Sequence, residues 1–251
     1  EELTAELQQM ETTILTQKAK IQKQSSDNLK LQQTLQKASL KIQNQAEKIF
    51  LEVQHLVTES TEGQALELGW RLDNRIDLNE ADYFRMILKK TCWYTCMHPI
   101  RIGAIIGTKG YVKPEKFDRL GFFMGAAFQI QDDILNLIAD EQQYGKEIGG
   151  DIIEGKRTLM LIHLMENANN KELSFIKSFL SQPIPQRRND EAAKVFQLMQ
   201  KYKSIDHAKE TSKYLAGAAL KEFYTHFAQL PDSKDKSFLE SIILYMIDRN
   251  Y

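Results

Sequence analysis

Apolar residues recur every three or four positions along most of this 251-residue chain, and alternation with period two is hard to find. The spacing by three and four places apolar side chains on one face of a helix. Glycine and proline, which interrupt helices, number only 12 and 5. The pattern predicts an all-α protein.

The first 56 residues carry the most regular pattern. Steps of four and three keep an unbroken phase through Leu3, Leu7, Met10, Ile14, Gln17, Ile21, Gln24, Asn28, Leu31, Leu35, Ala38, Ile42, Gln45, Ile49, Glu52 and Leu56. Most of these positions are apolar, as in the seam of a heptad repeat. Two interpretations stay open: a coiled coil that joins two or more chains, and an amphipathic helix that packs on its own globular domain. Polar residues interrupt the middle of the seam, and Ser-Ser-Asp at 25–27 is a candidate break.

Composition separates this segment, rich in Gln, Lys and Glu, from the remainder of the chain. We therefore predict a long helix over residues 1–45 and a helical domain over 46–251. Within the domain, residues 58–64 predict a helix boundary, and residues 108–117 predict a loop between a helix ending at Gly110 and one starting at Pro114. A long polar loop is predicted over 139–156, and another connection over 181–190.

Charge and cysteine content narrow the class of protein. The chain has 33 basic and 34 acidic residues, so it does not require nucleic acid or an anionic membrane as a partner. Cys92 and Cys96 lie four apart on a predicted helix, where a disulfide fits poorly, which favours a reducing compartment. No apolar run approaches the roughly 20 residues of a membrane-spanning helix. We expect a cytoplasmic protein without a transmembrane segment.

A group of polar residues lies on a helix predicted over residues 117–138. Gln129, Asp132, Asp133 and Asn136 follow the spacing i, i+3, i+4 and i+7, so they share one face of that helix. Ionised carboxylates beside apolar surface are unfavourable unless something compensates them. A Mg²⁺ ion is one compensation, because it prefers oxygen ligands and often joins carboxylates to a phosphate. Pairing with basic residues on a neighbouring helix is the other.

The segment after that helix is basic and rich in glycine. Lys146, Asp151, Lys156 and Arg157 occur there among four glycines. Glycines allow a loop to approach a ligand closely, and Arg157 offers a planar fork to phosphate oxygens. With the carboxylates before it, this loop indicates a diphosphate held through Mg²⁺; a solvated loop is the alternative.

A second candidate region spans residues 86–107. Lys90 and Thr91 place a cation and a hydroxyl in a stretch rich in Met, Trp, Tyr and Ile. Pro99 predicts a kink that frees a carbonyl upstream. His98 is expected to be structural, and Trp93 and Tyr94 to belong to the core.

Five segments together resemble one family. They are GQALEL, LKKTCWYTCMHPIRIGAIIG, GFFMGAAFQIQDDILNL, YGKEIGGDIIEGKRTLMLIHL and the end FLESIILYMIDRNY. Over roughly residues 46–250 the chain resembles the trans-isoprenyl diphosphate synthases (polyprenyl synthetases) of isoprenoid biosynthesis, the geranylgeranyl type above all. The resemblance implies an all-helical bundle around a deep cavity. It also implies a Mg²⁺-dependent transferase that ionises an allylic diphosphate, whose carbocation isopentenyl diphosphate then attacks.

The resemblance also implies roles for single residues. Asp132 and Asp133 match the family's second aspartate-rich motif and would bind Mg²⁺, with Asn136 in place of its last aspartate. Asp151 would support metal-bound waters or orient lysines. Other positions would contact the substrates. Lys90, Thr91 and Gln129 match residues that hold the diphosphate and face the cation, and Lys146 and Lys156 match lysines that clamp the leaving diphosphate. Phe128 would line the pocket, and Gln64 matches the glutamine of the GQ motif.

The sequence departs from the family in one respect. The family's first aspartate-rich motif and the Arg-Arg pair after it do not occur before residue 60, so the bundle would be incomplete and contain second-half helices only. One interpretation is an active prenyltransferase in a homo- or hetero-oligomer, with the first half supplied in cis or in trans. The alternative is a non-catalytic or regulatory subunit or remnant, tethered by the coiled coil. A terpene cyclase is disfavoured, because EGKRTLMLIHL resembles a synthase.

Overall fold

The computed structural model describes residues 2–138 and 149–248, and the regular elements in those ranges are all helical. The all-α prediction is confirmed. The α-helices of these ranges are α1 (Glu2–Leu72), α2 (Glu80–Ile87), α3 (His98–Gly107), α4 (Asp118–Ile138), α5 (Gly150–Glu154), α6 (Leu159–Asn167), α7 (Asn170–Ser181), α8 (Asn189–Lys201), α9 (Ser204–Phe227) and α10 (Lys234–Asp248). A π-helix (Leu88–Met97) and two 3₁₀ turns (Pro114–Phe117 and Ile184–Gln186) complete them.

The chain divides into two compact units, residues 1–50 and residues 51–251. The first unit is helical, and almost all of its described side chains are exposed. The second unit contains the buried core. The domain prediction, with its boundary after residue 45, stays a prediction.

Helix α1 continues without a break through both places where the sequence predicts an interruption. Residues 25–27 and 58–64 are helical, so the candidate break and the predicted boundary are wrong. The hydroxyls of Thr58 and Thr61 donate to the carbonyls of Gln54 and Val57, one turn earlier. This back-bonding lets hydroxyl residues remain inside a helix instead of ending it.

Helix α4 is the central element of the second unit and contacts both α9 and the π-helix. It covers Asp118–Ile138, in agreement with the prediction of 117–138. A Cβ atom on Gly125 would lie 2.7 Å from the Cα of Cys92 in the π-helix, so glycine is required for this close approach. The aspartate-bearing helix therefore packs directly against the element that carries Lys90 and Thr91.

The π-helix Leu88–Met97 ends just before Pro99, where the sequence predicts a kink. His98 N–H donates to the carbonyl of Trp93, five residues earlier, and Pro99 then stands in the first turn of α3. Proline lacks an N–H, and the first turn of a helix needs none. Trp93 packs against the core as predicted, whereas Tyr94 is 61% exposed, so the core prediction for Tyr94 is wrong.

His98 is completely buried and belongs to a polar network between α1, the π-helix and α3. Its Nδ1 lies 2.6 Å from Glu52 Oε2, and its Nε2 lies 3.1 Å from His55 Nδ1. Arg101 Nη2 lies 2.7 Å from the other oxygen of Glu52. Burial lowers the pKa of His98, and the Glu52 carboxylate opposes that shift. His98 thus has the structural role expected of it.

Cys92 and Cys96 are both free and buried. Burial raises the pKa of Cys92, and it raises that of Cys96 to about 12. Neither thiol is therefore ionised near neutral pH. Within residues 2–138 and 149–248, the helices lack the length and apolar character that crossing a bilayer requires.

Candidate functional site

The two aspartates of α4 have different environments. Asp133 is 2% exposed, whereas Asp132 is half-buried. Both Asp133 oxygens accept hydrogen bonds: Oδ2 from the Tyr83 hydroxyl at 2.8 Å, and Oδ1 from Gln129 Nε2 at 2.9 Å and Lys156 Nζ at 2.8 Å. Asp133 is thus compensated by a neighbouring lysine and two neutral donors, as a buried carboxylate requires. Asp132, on the same helix, keeps access to solvent.

Tyr83 is a site residue that the sequence did not single out. Its side chain is fully buried in α2, and its hydroxyl contacts Asp133 across 50 positions of sequence. Burial, and then the Asp133 carboxylate, raise the pKa of Tyr83 well above its ordinary value. The phenol therefore remains a hydrogen-bond donor to Asp133.

Lys156 lies between two carboxylates. Its Nζ is 2.8 Å from Asp133 Oδ1 and 3.1 Å from Asp151 Oδ2. Burial by itself lowers the pKa of Lys156, but the two carboxylates outweigh burial and raise it. Burial raises the pKa of Asp151, against the opposing effect of Lys156. Two carboxylates and one ammonium leave a net negative charge in this partly buried cluster, which favours a further cation.

Asn136 fixes the chain where it returns to α4. Its backbone carbonyl accepts Gly149 N–H at 2.7 Å, and its side-chain oxygen accepts Asp151 N–H at 3.1 Å. Gly149 has φ +78°, a conformation that favours glycine. These contacts hold Asp151 and Lys156 next to Asp133. The predicted loop over 139–156 contains the short helix α5, and residues 139–148 lie outside the described ranges.

Thr91 and Gln129 connect the π-helix to this cluster. The Thr91 hydroxyl donates to Gln129 Oε1 at 2.6 Å, and Gln129 Nε2 donates to Asp133 Oδ1 at 2.9 Å. The two bonds fix the orientation of the Gln129 amide. Three predicted residues, Thr91, Gln129 and Asp133, are therefore joined in one hydrogen-bonded chain.

Lys90 forms an ion pair with Glu67 of α1, a residue that sequence reasoning missed. Glu67 is only 4% exposed, and Lys90 engages its Oε2. Its Oε1 is buried and has no hydrogen-bond partner among the described residues. A buried acceptor without a donor is unfavourable by about 1–3 kcal/mol, so this oxygen is suited to a donor from a ligand. The signal in the sequence was helical spacing, because Gly63, Glu67 and Trp70 share the buried face of α1.

Gly63 explains how α1 reaches Lys90. A Cβ atom at this position would lie 2.2 Å from the backbone nitrogen of Lys90. No side chain fits there, so the glycine of the GQ pair brings α1 against the π-helix. The side chain of Gln64 itself is exposed and lies outside the Asp133 cluster.

Two further predicted residues also lie outside that cluster. Phe128 is half-buried and packs against an apolar group of the π-helix, α4, α9 and α10. Lys146 falls outside the described residues. An apolar cavity of about 540 Å³ lies between α3, α4, α9 and α10, and none of the predicted site residues lines it.

The phosphate-binding role expected of Arg157 is wrong. Its guanidinium is 1% exposed and donates to the carbonyl oxygens of Arg75 (2.9 Å) and Gly155 and to Asn74 Oδ1 (2.7 Å). Burial, together with Arg187 and Arg71, lowers its pKa to about 10. A planar fork that suits phosphate also suits converging carbonyls. Arg157 instead fixes the position of the turn at Gly155, just before Lys156 in the sequence.

The oxygen ligands near Asp133 suit one mode of binding the Mg²⁺ that the sequence predicts. In the described part of the chain, no group of three or more His, Cys, Asp or Glu side chains is arranged to hold a metal ion. Mg²⁺ does not require such a cage, since it is commonly held by one or two carboxylates, waters and a substrate phosphate. The oxygen ligands and the net negative charge around Asp133 fit that mode of binding, with Asp132 as the more accessible carboxylate.

Comparison with known proteins identifies the family. The Polyprenyl synthetase family model matches residues 25–199, more than half of the chain. The chain belongs to the polyprenyl synthetase family. The match begins within the heptad segment, before the motifs that the sequence analysis relied on.

Individual relatives agree with this family. The chain is 34% identical over 149 residues to the short chain isoprenyl diphosphate synthase of Methanothermobacter thermautotrophicus, covering 59% of this chain and 43% of the relative. It is 32% identical over 178 residues to the octaprenyl diphosphate synthase of Haemophilus influenzae, covering 71% and 52%. The chain thus spans about half the length of the curated relatives it matches.

The fold agrees as well. The crystal structure of geranylgeranyl pyrophosphate synthetase from Pyrococcus horikoshii superposes with a TM-score of 0.69 at 30% identity. The superposition covers 82% of this chain and 60% of that one. The helical bundle implied by the motifs is therefore confirmed.

Proposed function

We propose that this chain carries the diphosphate-binding wall of a Mg²⁺-dependent prenyltransferase. The enzyme would condense an allylic diphosphate with isopentenyl diphosphate, and the motifs favour the geranylgeranyl type. The observation that carries the proposal is the cluster around Asp133. It brings together Thr91, Gln129, Asp151 and Lys156, from the π-helix, α4 and the α5–α6 segment, in a chain of this family.

The metal would be held mainly by Asp132, because this carboxylate is half-buried whereas Asp133 is 2% exposed. Asp133 is also part of the proposed motif, and both of its oxygens accept hydrogen bonds from neighbours. Asn136 and Asp151 are weaker ligands for a similar reason, since their oxygens accept from a backbone N–H and from Lys156. When bound, Mg²⁺ would neutralise charge on the departing diphosphate.

The lysines would neutralise the remaining charge. Lys90 and Lys156 are each held by a carboxylate, Lys90 by Glu67 and Lys156 by Asp133 and Asp151. This arrangement orients both ammonium groups before a ligand arrives, which is a condition for electrostatic stabilisation of a leaving group. Lys146 is proposed as a third such cation from the family resemblance.

Thr91 and Gln129 would face the carbocation. The Thr91 hydroxyl donates a hydrogen bond to Gln129 Oε1, so the lone pairs of the Thr91 oxygen are directed away from that bond. Oriented oxygen dipoles stabilise positive charge in a site from which water is excluded. From the family resemblance, Phe128 and Gln64 are proposed to line the substrate pocket of the enzyme.

The other wall of the site would come from elsewhere. This chain covers about half of its relatives, and the first aspartate-rich motif does not occur before residue 60. We propose that the other half, with the first aspartate-rich motif, is supplied by a longer polypeptide or by a partner chain.

The alternative is a non-catalytic or regulatory subunit. One observation favours it: Lys156 already pairs with Asp133 and Asp151, and Lys90 pairs with Glu67. Ion pairs of this kind persist without a ligand. The two functions therefore differ in whether this chain binds diphosphate.

Calorimetry with inorganic diphosphate tests that difference. Mg²⁺-dependent binding is expected in the natural chain and should weaken at least about tenfold in Asp132→Asn, the loss of one charge-assisted contact. Glu210→Gln removes an equally charged, exposed carboxylate on α9 and should leave binding unchanged. Equal binding in Asp132→Asn and the natural chain would overturn the metal assignment, and no binding at all would favour the regulatory subunit.

A transfer assay tests the reaction itself. Labelled isopentenyl diphosphate, farnesyl diphosphate and Mg²⁺ are supplied to the chain, alone and with the N-terminal half of a complete synthase. Turnover only in the mixture, lost in Asp132→Ala, is expected. Diphosphate binding without turnover in either condition would support the diphosphate-binding wall but contradict the proposed transferase activity.

A further inference from the structure

The first unit exposes large apolar side chains at regular intervals. Met10, Ile21, Leu35 and Ile42 are between 61% and 68% exposed, and all four belong to the heptad seam. Scattered apolar residues on a surface are ordinary, whereas a continuous stripe along a helix marks an interaction surface.

The heptad positions select the number of strands. The a positions are Leu7, Ile14, Ile21, Asn28, Leu35, Ile42 and Ile49, and the d positions are Leu3, Met10, Gln17, Gln24, Leu31, Ala38 and Gln45. β-Branched residues at a together with leucine at d, as at Leu3 and Leu31, favour parallel two-stranded coiled coils, and a single asparagine at a specifies register and strand number. Four of the seven a residues are isoleucine, and Asn28 is the one polar a residue.

The polar layers select the partner. Gln17, Gln24 and Asn28 lie in the seam, where an apolar partner helix would leave their amides buried without hydrogen bonds, at about 1–3 kcal/mol each. A second copy in parallel register places each amide opposite its own equivalent, and two amides satisfy each other. A shift by one heptad would place Asn28 opposite Ile21 or Leu35. The seam is therefore complementary to itself in one register.

We propose that residues 7–49 form a parallel, in-register, two-stranded coiled coil with a second copy of this chain. The coil ends before Glu52, the next seam position. Glu52 belongs to the second unit, where its carboxylate pairs with His98 and Arg101 and is not available to a partner helix. The proposal is independent of the proposed reaction, since none of the candidate site residues lies within 7–49.

Two matched substitutions test the seam. Leu35 at a and Leu40 at f are 61% and 59% exposed in the single chain, but only Leu35 belongs to the seam. We expect the natural chain to have a mass of about 58 kDa in light scattering, twice its 29.1 kDa. Leu35→Asp should halve that mass, and Leu40→Asp should leave it unchanged. A monomeric natural chain, or a mass that Leu35→Asp does not change, would overturn the proposal.

Cross-linking tests direction and register. Met10 lies near one end of the seam, so Met10→Cys meets its equivalent only in a parallel, in-register pair. The native thiols, Cys92 and Cys96, are buried, and the natural chain serves as the uncross-linked control. Mild oxidation of Met10→Cys should convert most of the chain to a disulfide-linked dimer. Absence of that species in a dimeric sample would show an antiparallel or shifted pairing and overturn the proposal.

Discussion

Lys156 Nζ lies 2.8 Å from Asp133 Oδ1, across 23 positions of sequence, and both side chains are largely buried. This ion pair joins the aspartate helix α4 to the segment that follows α5. It makes the position of Lys156 depend on a carboxylate that Tyr83 and Gln129 hold from two other sides. The candidate site is therefore one connected unit, and a change at either residue should alter both stability and binding.

Removal of the lysine charge should strongly destabilise the fold. Lys156→Met leaves Asp133 buried without a cation, which lowers the free energy of unfolding by about 3–5 kcal/mol. Urea denaturation measures the change. Lys201→Met breaks the exposed pair with Glu172 and should have a much smaller effect, because solvent screens an exposed pair. Equal effects of the two substitutions would contradict the burial argument.

Arg157 should be required for its shape as well as its charge. Arg157→Lys keeps the charge but loses the fork that joins Arg75, Gly155 and Asn74, so we expect about 1–3 kcal/mol of destabilisation. Arg188 is mostly exposed and pairs with Asp190. Arg188→Lys is thus the matched control and should leave the stability nearly unchanged. Thermal or urea unfolding of both variants provides the comparison.

Two glycines of α1 should respond with opposite signs. A Cβ at Gly63 would meet the backbone of Lys90 at 2.2 Å, so Gly63→Ala should destabilise the fold by about 1–3 kcal/mol. Nothing lies within 4 Å of a Cβ at Gly69, where alanine should stabilise the helix by roughly 0.5–1 kcal/mol. Denaturant midpoints of the two variants measure the contrast. A stabilising Gly63→Ala would contradict the close approach of α1 to the π-helix.

Stability should fall as the pH is lowered below neutrality, in part through His98. Burial lowers the pKa of His98, so the unfolded chain binds a proton near pH 6.5 that the folded chain does not yet accept. The contribution of neutral His98 to the free energy of unfolding is therefore complete above about pH 6.5, and it is lost as the pH falls toward the lower pKa of the folded state.

The groups that face His98 are Glu52 and His55, with Arg101 on the same Glu52 carboxylate. His98→Gln should flatten the dependence of unfolding free energy on pH between about 5 and 7. His163 also has a pKa lowered by burial, so part of the slope remains and His163→Gln removes that part. A slope unchanged by His98→Gln would show that folding does not shift the pKa of His98, which would contradict the prediction.

The sequence by itself determined the helical class, the helix bearing Asp132 and Asp133, and the family motifs. These follow from periodicity and spacing, which are local properties of a helix. It also placed Gln129, Asp133 and Asn136 on one face, because residues three, four and seven apart must share it. The error at 58–64 arose because threonine hydroxyls bond within the helix instead of ending it.

Only the tertiary structure decided which charges meet. Asp133 with Tyr83, Lys90 with Glu67 and Arg157 with the carbonyl of Arg75 are separated by 50, 23 and 82 positions. Burial and partner choice at such distances depend on how closely the helices pack, and that packing is set by close contacts such as Gly63 against Lys90. The roles of Glu67, Tyr83 and Arg157 could therefore be read only once α1, α2 and α4 were in place around the π-helix.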